Sequence, residues 1–441
     1  MSDTHAFRLA GCELGVATAA TQIEGGDADT NWHRWAQTPG HIADGSTPAR
    51  ACDHWNRVAA DIALLGELGV KHYRMGLEWA RVEPAPGEFD DTAIAHYADE
   101  LTQLRDAGIT PLVTLHHFNN PWWFEQTGAF AGGHAVGVFE RYVRHVLGAL
   151  APLARDWITI NEPNVYATKA YLEGDWPPGR HSLGETLAVM QHLAEAHIRA
   201  YRIIHGARTD ARVGVANHLR VFQPQTKWNP VHQAAALAGE YLFQRAIMRA
   251  MSYGQFLPPF RRPAGVRPGR YYEFQGINYY TRSTVSGLKD GVAAGVPVND
   301  LGWEIYPDGL AILIRQVQRT YPGPIYITEN GTADAVDAFR PLFLYDHLLA
   351  IAGTGAPVER FYHWCFTDNW EWAEGEEPRF GLVALDYETQ RRTVRESGRF
   401  YADIAANGGV TPAAYERWVA GREYPRGPGL TRRARLDGTI S

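Results

Sequence analysis

Asp156–Asn164 reads DWITINEPN and has the composition of a buried β-strand that stops at a charge. Trp157, Ile158 and Ile160 favour a strand, because aromatic and β-branched side chains pack well on a pleated surface. The run ends at Glu162, where a carboxylate stands directly after the apolar residues. A charged side chain in this place is either a solvated cap or part of a functional site, and the rest of the chain decides between the two.

Similar strand candidates recur along the whole chain, and amphipathic helical patterns separate them. One helical pattern is carried by Phe139, Tyr142, Val143, Val146 and Leu150. The strand candidates are CELGVAT near 12–18, VKHYRMGL near 70–77, ITPLVTLHHF near 109–118, DWITINE near 156–162, ARVGVANHLRV near 211–221, FQGINYY near 274–280, PIYITEN near 324–330 and RFYHWCFTD near 360–368. Strand and helix in alternation predict parallel strands joined by helical crossovers.

Eight such units predict an α/β fold in which a single (β/α)8 TIM barrel spans residues 1–441, with the active site at the C-terminal ends of the strands. A doubly wound open sheet is the alternative. It predicts a glycine-rich phosphate loop, but neither GxGxxG nor GxxxxGK[ST] occurs at a strand-to-helix turn.

Two stretches are rich in proline, Trp176–Gly179 and Leu257–Pro268, and are predicted to form long loops over one barrel face. Residues 426–441 are expected to be a flexible tail.

The composition narrows the classes of partner. Hydrophobic residues make up 45% of the 441 residues, and the 14 tryptophans either fill a core or offer flat faces to sugar rings. A formal net charge of −7 argues against nucleic acid or an anionic membrane as the main partner.

The cysteine count indicates the compartment, because three cysteines cannot form a complete disulfide framework. Neither a signal-peptide pattern nor a long apolar run is present, so we expect a cytoplasmic protein. Either a monomer or a homo-oligomer fits these numbers.

A second carboxylate follows an apolar run in PIYITENG, residues 324–331, where Glu329 closes the seventh strand candidate as Glu162 closes the fourth. The carboxyl ends of barrel strands meet at one face, so both side chains are predicted to reach one pocket. Two carboxyl groups in different environments can hydrolyse a glycosidic bond, because one protonates the leaving oxygen while the other attacks the anomeric carbon. Either glutamate alone is better explained as a solvated cap, whereas the pair favours catalysis.

Six motifs extend this pattern over most of the chain. They are ATQIEG at 20–25, TLHHFNNP at 114–121, TINEPN at 159–164, GINYYT at 276–281, YITENG at 326–331 and HWCFTDNWEWAEG at 363–375, with RFGL at 379–382. In this order the motifs resemble glycoside hydrolase family 1, the β-glucosidase and β-glycosidase family, over about residues 11–405. The resemblance implies a retaining, exo-acting enzyme that hydrolyses O-linked β-glycosides by double displacement, with no metal or organic cofactor.

The resemblance also implies a role for each matching residue. Glu162 corresponds to the acid/base, Glu329 to the nucleophile and Asn161 to the residue that holds the sugar 2-hydroxyl. Arg74 corresponds to an arginine beside the nucleophile, where it lowers the carboxyl pKa by roughly one to three units, and Tyr280 to a tyrosine that hydrogen-bonds the nucleophile. The implied sugar-binding set is Gln22 and His117 for the 3- and 4-hydroxyls, Trp364 as the platform under the ring, and Glu371 and Trp372 for the 4-, 6- and 3-hydroxyls.

Some positions depart from the family pattern. Phe118 stands where many members have Trp, and Asn119 and Asn120 replace the usual acidic or Thr and Leu pair, so the lower rim of the pocket is expected to lose a polar contact. Cys365 replaces Ser, and Leu14 replaces Trp. None of these departures touches the two glutamates.

Several other activities are compatible with parts of the sequence. Members that act on 6-phosphoglycosides carry Ser in place of Glu371, so unphosphorylated substrates are expected here. Transglycosylation stays open, as does the choice among glucose, galactose and fucose. A catalytically inactive sugar-binding barrel would be free to lose either glutamate.

His116 and His117 suggest a metal site, but neighbouring residues of a strand point to opposite faces. Cys12 and Cys365 lack a histidine partner motif and are expected to pack as small hydrophobes.

Overall fold

Eight parallel strands close into a barrel, as the alternating pattern predicts. The computed structural model describes residues 5–287 and 289–427, and its barrel strands are β1 Glu13–Ala17, β2 His72–Gly76, β3 Thr110–Thr114, β4 Asp156–Asn161, β5 Arg212–His218, β6 Gln275–Asn278, β7 Ile325–Asn330 and β8 Val358–Trp364. Because β8 pairs with β1, the sheet has no free edge. The predicted (β/α)8 fold is confirmed, and the doubly wound sheet is ruled out by the closure.

A helix follows each strand and covers the outside of the barrel. The eight helices are α1 Val58–Glu67, α2 Asp91–Asp106, α3 Ala135–Leu150, α4 Leu183–Ala207, α5 Ala246–Tyr253, α6 Pro307–Thr320, α7 Arg340–Ala352 and α8 Glu396–Asn407. On α3, the five residues of the predicted apolar face are all buried. The burial of such faces against the strands provides most of the hydrophobic stabilisation of this architecture.

Further helices and strands, most of them short, lie outside the eight barrel strands and the eight covering helices. The short helices are Ala20–Ile23, Asn31–Trp35, His54–Asn56, Trp79–Val82, Trp122–Gln126, Ala129–Ala131, Pro163–Ala167, Thr168–Glu173, Pro230–Glu240, Tyr241–Arg245, Trp372–Glu374 and Pro412–Trp418. The remaining strands pair as Phe7–Arg8 with Gly409–Val410, Ser283–Ser286 with both Phe222–Pro224 and Lys289–Gly291, and Val383–Asp386 with Arg391–Val394. Among the described helices, none is long and apolar enough to cross a membrane.

Strands β4 and β7 are buried along their whole lengths. One face of each strand packs inside the barrel and the other packs under helices, which explains why both faces are apolar in the sequence. The carboxyl end of each strand emerges at the barrel mouth. A carboxylate at the end of either strand is therefore delivered to the mouth by the strand itself.

The two proline-rich stretches are loops, but they do not lie over the same face. Trp176 reaches the barrel mouth, whereas Leu257–Pro268 connects α5 to β6. This second loop packs on outer elements: the Arg261 N–H donates to Gln191 Oε1 over 2.8 Å. The prediction of a shared face is wrong, because a helix-to-strand connection begins at the opposite end of the barrel.

The last described residues lie against a loop at the barrel mouth. Arg426 forms an isolated β-bridge with Pro297, and its Nη1 donates to the carbonyl oxygen of Gly295 over 3.0 Å. The Val298 N–H donates to the carbonyl oxygen of Pro425 over 2.9 Å. Residues 428–441 of the predicted tail lie outside the described residues.

Candidate active site

One pocket at the carboxyl ends of the strands contains both glutamates. Of the ten residues predicted from the sequence, seven line this pocket: His117, Glu162, Tyr280, Glu329, Trp364, Glu371 and Trp372. The other three, Arg74, Asn161 and Gln22, are fully buried directly behind it. All three hydrogen-bond to pocket-lining side chains. The structure thus brings the whole predicted set together.

Glu162 leaves β4 in an unusual backbone conformation. Its φ of 41° and ψ of 60° lie in the left-handed region, which costs free energy for any residue with a Cβ atom. Pro163, whose fixed φ suits a first helical position, then begins the helix Pro163–Ala167. Although Glu162 precedes a helix, its side chain makes no capping bond. The turn instead directs the carboxyl group into the pocket.

Glu329 lies on β7 between a cation and a phenol. Arg74, which β2 contributes, donates from Nη1 to Glu329 Oε1 over 2.5 Å. The Tyr280 hydroxyl donates to the other oxygen, Oε2, over 2.6 Å. Both contacts favour the ionised carboxylate, and the one from Arg74 is charge-assisted. This environment is suited to a group that must remain an anion.

Burial controls the pKa values of both carboxyl groups. It raises the pKa of Glu329 to about 7, although the neighbouring Arg74 lowers it. The expectation that Arg74 lowers this pKa is correct for its own contribution, but the net shift is upward because burial outweighs it. Burial likewise raises the pKa of Glu162 to about 7, while the hydrogen bond from Asn278 lowers it. The two groups differ in their donors: the cation Arg74 donates to Glu329, whereas the neutral amide of Asn278 donates to Glu162.

A hydrogen-bond network joins the two glutamates. Arg74 Nη2 donates to Asn161 Oδ1 over 2.7 Å, and Asn278 Nδ2 donates both to that oxygen, over 3.0 Å, and to Glu162 Oε1, over 2.8 Å. Since Asn161 Oδ1 accepts these bonds, its Nδ2 is the donor to His117 Nε2, 2.9 Å away. The amide orientation and the His117 tautomer are therefore both determined by Arg74.

The inner end of the pocket carries unused hydrogen-bonding capacity. Gln22 Nε2 donates to Glu371 Oε2 over 3.2 Å and to the carbonyl oxygen of Trp370 over 2.9 Å. Gln22 Oε1 and His117 Nδ1 are buried and have no hydrogen-bond partner among the described residues. Burial, followed by the charge of Glu329, raises the pKa of Glu371 to about 8. Buried polar atoms without partners are costly, so a ligand with several hydroxyl groups fits this end.

Aromatic rings form one wall of the pocket. Phe118 lies 4.9 Å from Trp176 and 5.4 Å from Trp372, measured between ring centroids, and Trp32 supports Trp372 from behind at 4.9 Å. On another side, Trp303 packs edge-on against Tyr280 at 5.7 Å. Flat apolar faces next to unpaired polar atoms match the two kinds of surface on a sugar ring.

The unusual pair Asn119 and Asn120 lies behind the pocket and not on its rim. Asn119 donates to Glu78 Oε1 over 2.8 Å, and Asn120 donates to Glu125 Oε2 over 2.7 Å. Both asparagines are buried, so neither forms the rim, whereas Phe118 lines the pocket and the loss of a polar contact there stays a prediction. Cys365 is also buried, and its thiol donates to the carbonyl oxygen of Thr367 over 2.8 Å. Leu14 is a core residue.

The histidines and thiols that suggested other kinds of chemistry lie in environments that do not support it. His116 Nε2 lies 3.0 Å from Asn120 Oδ1, whereas His117 contacts Asn161, so the two rings diverge as expected. Within residues 5–287 and 289–427, no group of three His, Cys, Asp or Glu side chains is arranged to hold a metal ion. Burial raises the pKa of the Cys12 and Cys52 thiols to about 12. Such thiols are poor nucleophiles.

The sequence model that defines glycosyl hydrolase family 1 matches residues 10–265 and 269–410 of this chain. Beta-glucosidase A of Thermotoga maritima is 32% identical over 435 residues, which cover 90% of this chain and 97% of that enzyme. The chain belongs to glycosyl hydrolase family 1.

Solved structures of family 1 enzymes superimpose closely on this chain. The β-glucosidase from Thermotoga maritima in complex with glucoimidazole has a TM-score of 0.86 at 30% identity, covering 91% of this chain and 99% of that one. The β-glycosidase from Pyrococcus horikoshii has a TM-score of 0.85 at 32% identity, covering 93% and 98%. This family 1 member is therefore a glycoside hydrolase with the common barrel of its relatives.

Two further side chains, which the sequence did not predict, bond directly to Glu162. Asn278 is one, and His218 is the other, with its Nδ1 3.0 Å from Glu162 Oε1. Asn278 stands two residues before Tyr280, so the period of two along a strand places both on the inner face and offers a usable signal. His218 closes β5 as Glu162 and Glu329 mark the ends of their strands. Its place at the end of a barrel strand was therefore a usable signal for His218 as well.

Proposed function

We propose that this family 1 enzyme is a retaining, exo-acting β-glycosidase that hydrolyses O-linked β-glycosides by double displacement. The observation that carries the proposal is the unequal bonding of two buried carboxyl groups in one pocket. Glu329 is bonded by the cation Arg74, whereas Glu162 is bonded by the neutral donor Asn278. The first environment suits a nucleophile and the second suits an acid that must also lose its proton.

In the first step, Glu329 attacks the anomeric carbon while Glu162 protonates the departing oxygen. The bond between the anomeric carbon and the leaving oxygen breaks, and a glycosyl ester forms on Glu329. Arg74 and Tyr280 hold the attacking carboxylate in place, because their donors fix both of its oxygens. Burial supports the acid, since it raises the pKa of Glu162 to about 7 and so keeps part of it protonated near neutral pH.

In the second step, Glu162 acts as a base. It is now ionised, removes a proton from water and directs the resulting nucleophile to the anomeric carbon, which releases the sugar and regenerates both carboxyl groups. Two inversions at one carbon give net retention. These steps use only the side chains named and water.

The inner end of the pocket is proposed to bind one terminal, unphosphorylated sugar. Gln22, His117 and Glu371 supply the donors and acceptors, and Trp364 and Trp372 supply the apolar faces. A 6-phosphate would face the Glu371 carboxyl group. Arg379, the arginine of the RFGL segment, is bonded to other groups. Its Nη1 lies 3.6 Å from Asp368 Oδ2 and donates to the carbonyl oxygen of Leu385 over 3.1 Å.

The preferred sugar is proposed to be glucose, with galactose and fucose as further substrates. A relative named beta-galactosidase, from Saccharolobus solfataricus, is 27% identical over 472 residues, beside the relatives named β-glucosidase. We also propose a cytoplasmic location, which the three unpaired thiols support.

A panel of aryl β-glycosides with glucose, galactose, fucose or glucose 6-phosphate as the sugar tests the proposal. Proton NMR during hydrolysis should show the β-anomer of the free sugar first, before mutarotation. Hydrolysis of the phosphorylated member should be the slowest. Release of the α-anomer first would contradict the retaining mechanism, and products longer than the substrate would reveal transglycosylation from the same intermediate.

A further inference from the structure

His218 connects the carboxyl group of Glu162 to a second arginine. Its Nδ1 lies 3.0 Å from Glu162 Oε1, and Arg220 Nε donates to its other ring nitrogen, Nε2, over 2.9 Å. His218 is the last residue of β5, and Arg220 follows two positions later in the sequence. The imidazole is nearly parallel to the ring of Tyr280 and edge-on to that of Phe243, each with its centroid 6.0 Å away. The ring is therefore fixed in position as well as in its bonds.

The arginine determines which nitrogen of His218 carries the proton. A guanidinium has donors only, so Nε2 must accept the bond from Arg220 and cannot carry a hydrogen. The hydrogen of the neutral ring consequently resides on Nδ1, which faces Glu162. Arg220 is itself held by Asp290, whose Oδ2 lies 3.2 Å from Nη1. His218 is thus a donor to Glu162 and not an acceptor.

Asn278 donates to the same oxygen of Glu162. The Thr328 hydroxyl donates to Asn278 Oδ1 over 2.6 Å, which fixes the amide so that Nδ2 points to Glu162 Oε1, 2.8 Å away. Oε1 therefore accepts two hydrogen bonds, from Asn278 and from His218. An oxygen with two donors is the poorer site for a proton, so the acid form of Glu162 carries its proton on Oε2.

We propose that His218 is a positioning residue for the acid/base: as the Nδ1–H tautomer set by Arg220, it directs the proton of Glu162 to Oε2 and stabilises the carboxylate that remains after the leaving oxygen is protonated. The inference rests on the proposed function. The proton moves from Oε2 to the leaving oxygen in the first step and returns to Oε2 from water in the second. His218 keeps its own proton throughout.

Other charged and titratable groups also face Glu162 and must be considered. Arg74 and Glu329 lie across the network, on β2 and β7, and the Tyr280 hydroxyl follows β6. Arg74 and Arg220 both favour the ionised form of Glu162. Replacing His218 affects one bond of Arg220, which Asp290 also holds, while Arg74, Glu329 and the Tyr280 hydroxyl keep their own hydrogen bonds.

Two nearly isosteric substitutions separate the donor from the shape of the ring. The amide nitrogen of asparagine can occupy the place of Nδ1, so His218→Asn retains the donor to Glu162. The amide group of glutamine reaches the place of Nε2, where its oxygen accepts the bond from Arg220, so His218→Gln loses the donor to Glu162. The kcat/KM for a phenyl β-glucoside is measured against pH for both variants, because this poor leaving group requires the acid.

Loss of the donor should raise the pKa of Glu162 and move the alkaline limb of the profile to higher pH. We expect His218→Gln to move this limb by about one pH unit and His218→Asn to leave it near the wild-type position. The acidic limb, which reports Glu329, should stay unchanged in both. Two-bond proton–nitrogen NMR of ¹⁵N-histidine-labelled protein, with His218→Asn to identify the signals, should show the Nδ1–H tautomer in the wild type and its loss in Arg220→Met.

Equal movement of the alkaline limb in the asparagine and glutamine variants, or no movement in either, would overturn the proposal. So would an Nε2–H tautomer in the wild type. The NMR measurement does not depend on catalysis. Absence of β-glycoside hydrolysis by the wild-type enzyme would instead contradict the proposed function, so the two failures are distinguishable.

Discussion

Arg74 and Glu329 are separated by 255 positions in the sequence, yet their side chains meet in a buried contact of 2.5 Å. The strands that carry them, β2 and β7, are not neighbours, since β8 and β1 lie between them in the barrel. The contact therefore crosses the interior of the barrel mouth. Removing either partner of a buried ion pair leaves the other charge uncompensated, so the pair is sensitive to substitution.

Substitution of Arg74 should move the acidic limb of the pH profile upward. Without the cation the pKa of Glu329 rises, so the fraction of ionised nucleophile at a given pH falls. We expect Arg74→Met to lower kcat/KM by about a hundredfold or more, with a smaller effect for Arg74→Lys, which retains the charge. The exposed Arg144, on α3, provides the control variant Arg144→Met. An unchanged acidic limb in Arg74→Met would contradict the assignment.

Replacement of Glu329 by Ala should reduce hydrolysis of an aryl β-glucoside by at least about a thousandfold. The small side chain leaves space on the α face of the sugar, so added azide should restore part of the activity and give an α-glycosyl azide. Product configuration is determined by NMR. Wild-type turnover in this variant, or a β-glycosyl azide, would show that Glu329 is not the nucleophile.

Replacement of Glu162 by Ala should have an effect that depends on the leaving group. For phenyl β-glucoside, which needs protonation, we expect formation of the glycosyl-enzyme to slow by about 10²–10⁴-fold. For 2,4-dinitrophenyl β-glucoside the same step should be nearly unaffected, as pre-steady-state release of the phenol can show. Azide should here give a β-glycosyl azide, the opposite product to that of Glu329→Ala. Equal losses on both substrates would contradict the acid role.

Glu125 offers a stability test away from the reacting groups. Burial raises the pKa of Glu125 in the folded protein to about 7 from an ordinary value of 4.5. Between these values the folded state binds more protons than the unfolded state, so the free energy of unfolding falls as pH rises. Glu125→Gln removes this loss and should be the more stable protein above about pH 7, by at most about 3 kcal/mol.

Denaturant unfolding of Glu125→Gln and the wild type at several pH values measures this difference. The exposed Glu67, on α1, gives the matched control Glu67→Gln, for which no comparable pH dependence is expected. A Glu125→Gln protein that is less stable than the wild type at every pH would contradict the prediction. The hydrogen bond from Asn120 can be retained by the glutamine carbonyl.

Thiol reagents should not inhibit the folded enzyme. Burial raises the pKa of Cys12 and Cys52 to about 12 and that of Cys365 well above its ordinary range. We expect iodoacetamide at neutral pH to leave activity intact, while all three thiols react after unfolding. Inactivation that a bound sugar prevents would indicate a cysteine in the pocket and contradict this prediction.

The strands and the two glutamates were predictable because local sequence encodes them. An apolar run such as Trp157–Ile160 indicates a buried strand, and the barrel geometry then places the next polar residue, Glu162, at the mouth. The direction of Asn119 and Asn120 was not predictable in this way. Their partners, Glu78 and Glu125, are brought to them by tertiary packing, which no local pattern records.

The contacts of His218 also depend on tertiary structure. Its position at the end of β5 was readable, but its bond to Glu162 depends on the closing of β4 next to β5, and its tautomer depends on Arg220. The Leu257–Pro268 loop was misplaced for a related reason. Proline content predicts a loop, whereas the end of the barrel at which the loop lies follows from chain direction.

The attachment of Pro425 and Arg426 to the loop at residues 295–303 links the far end of the described chain to the wall of the pocket. Val298 bonds to Pro425, and the neighbouring Asn299 accepts from the backbone N–H of Trp303, a ring of the pocket wall. A deletion that removes these two residues, or a bulky tag fused directly beside them, would loosen that wall. Trimming the chain at this end would therefore remove contacts that hold one wall of the pocket, although it would remove no catalytic side chain.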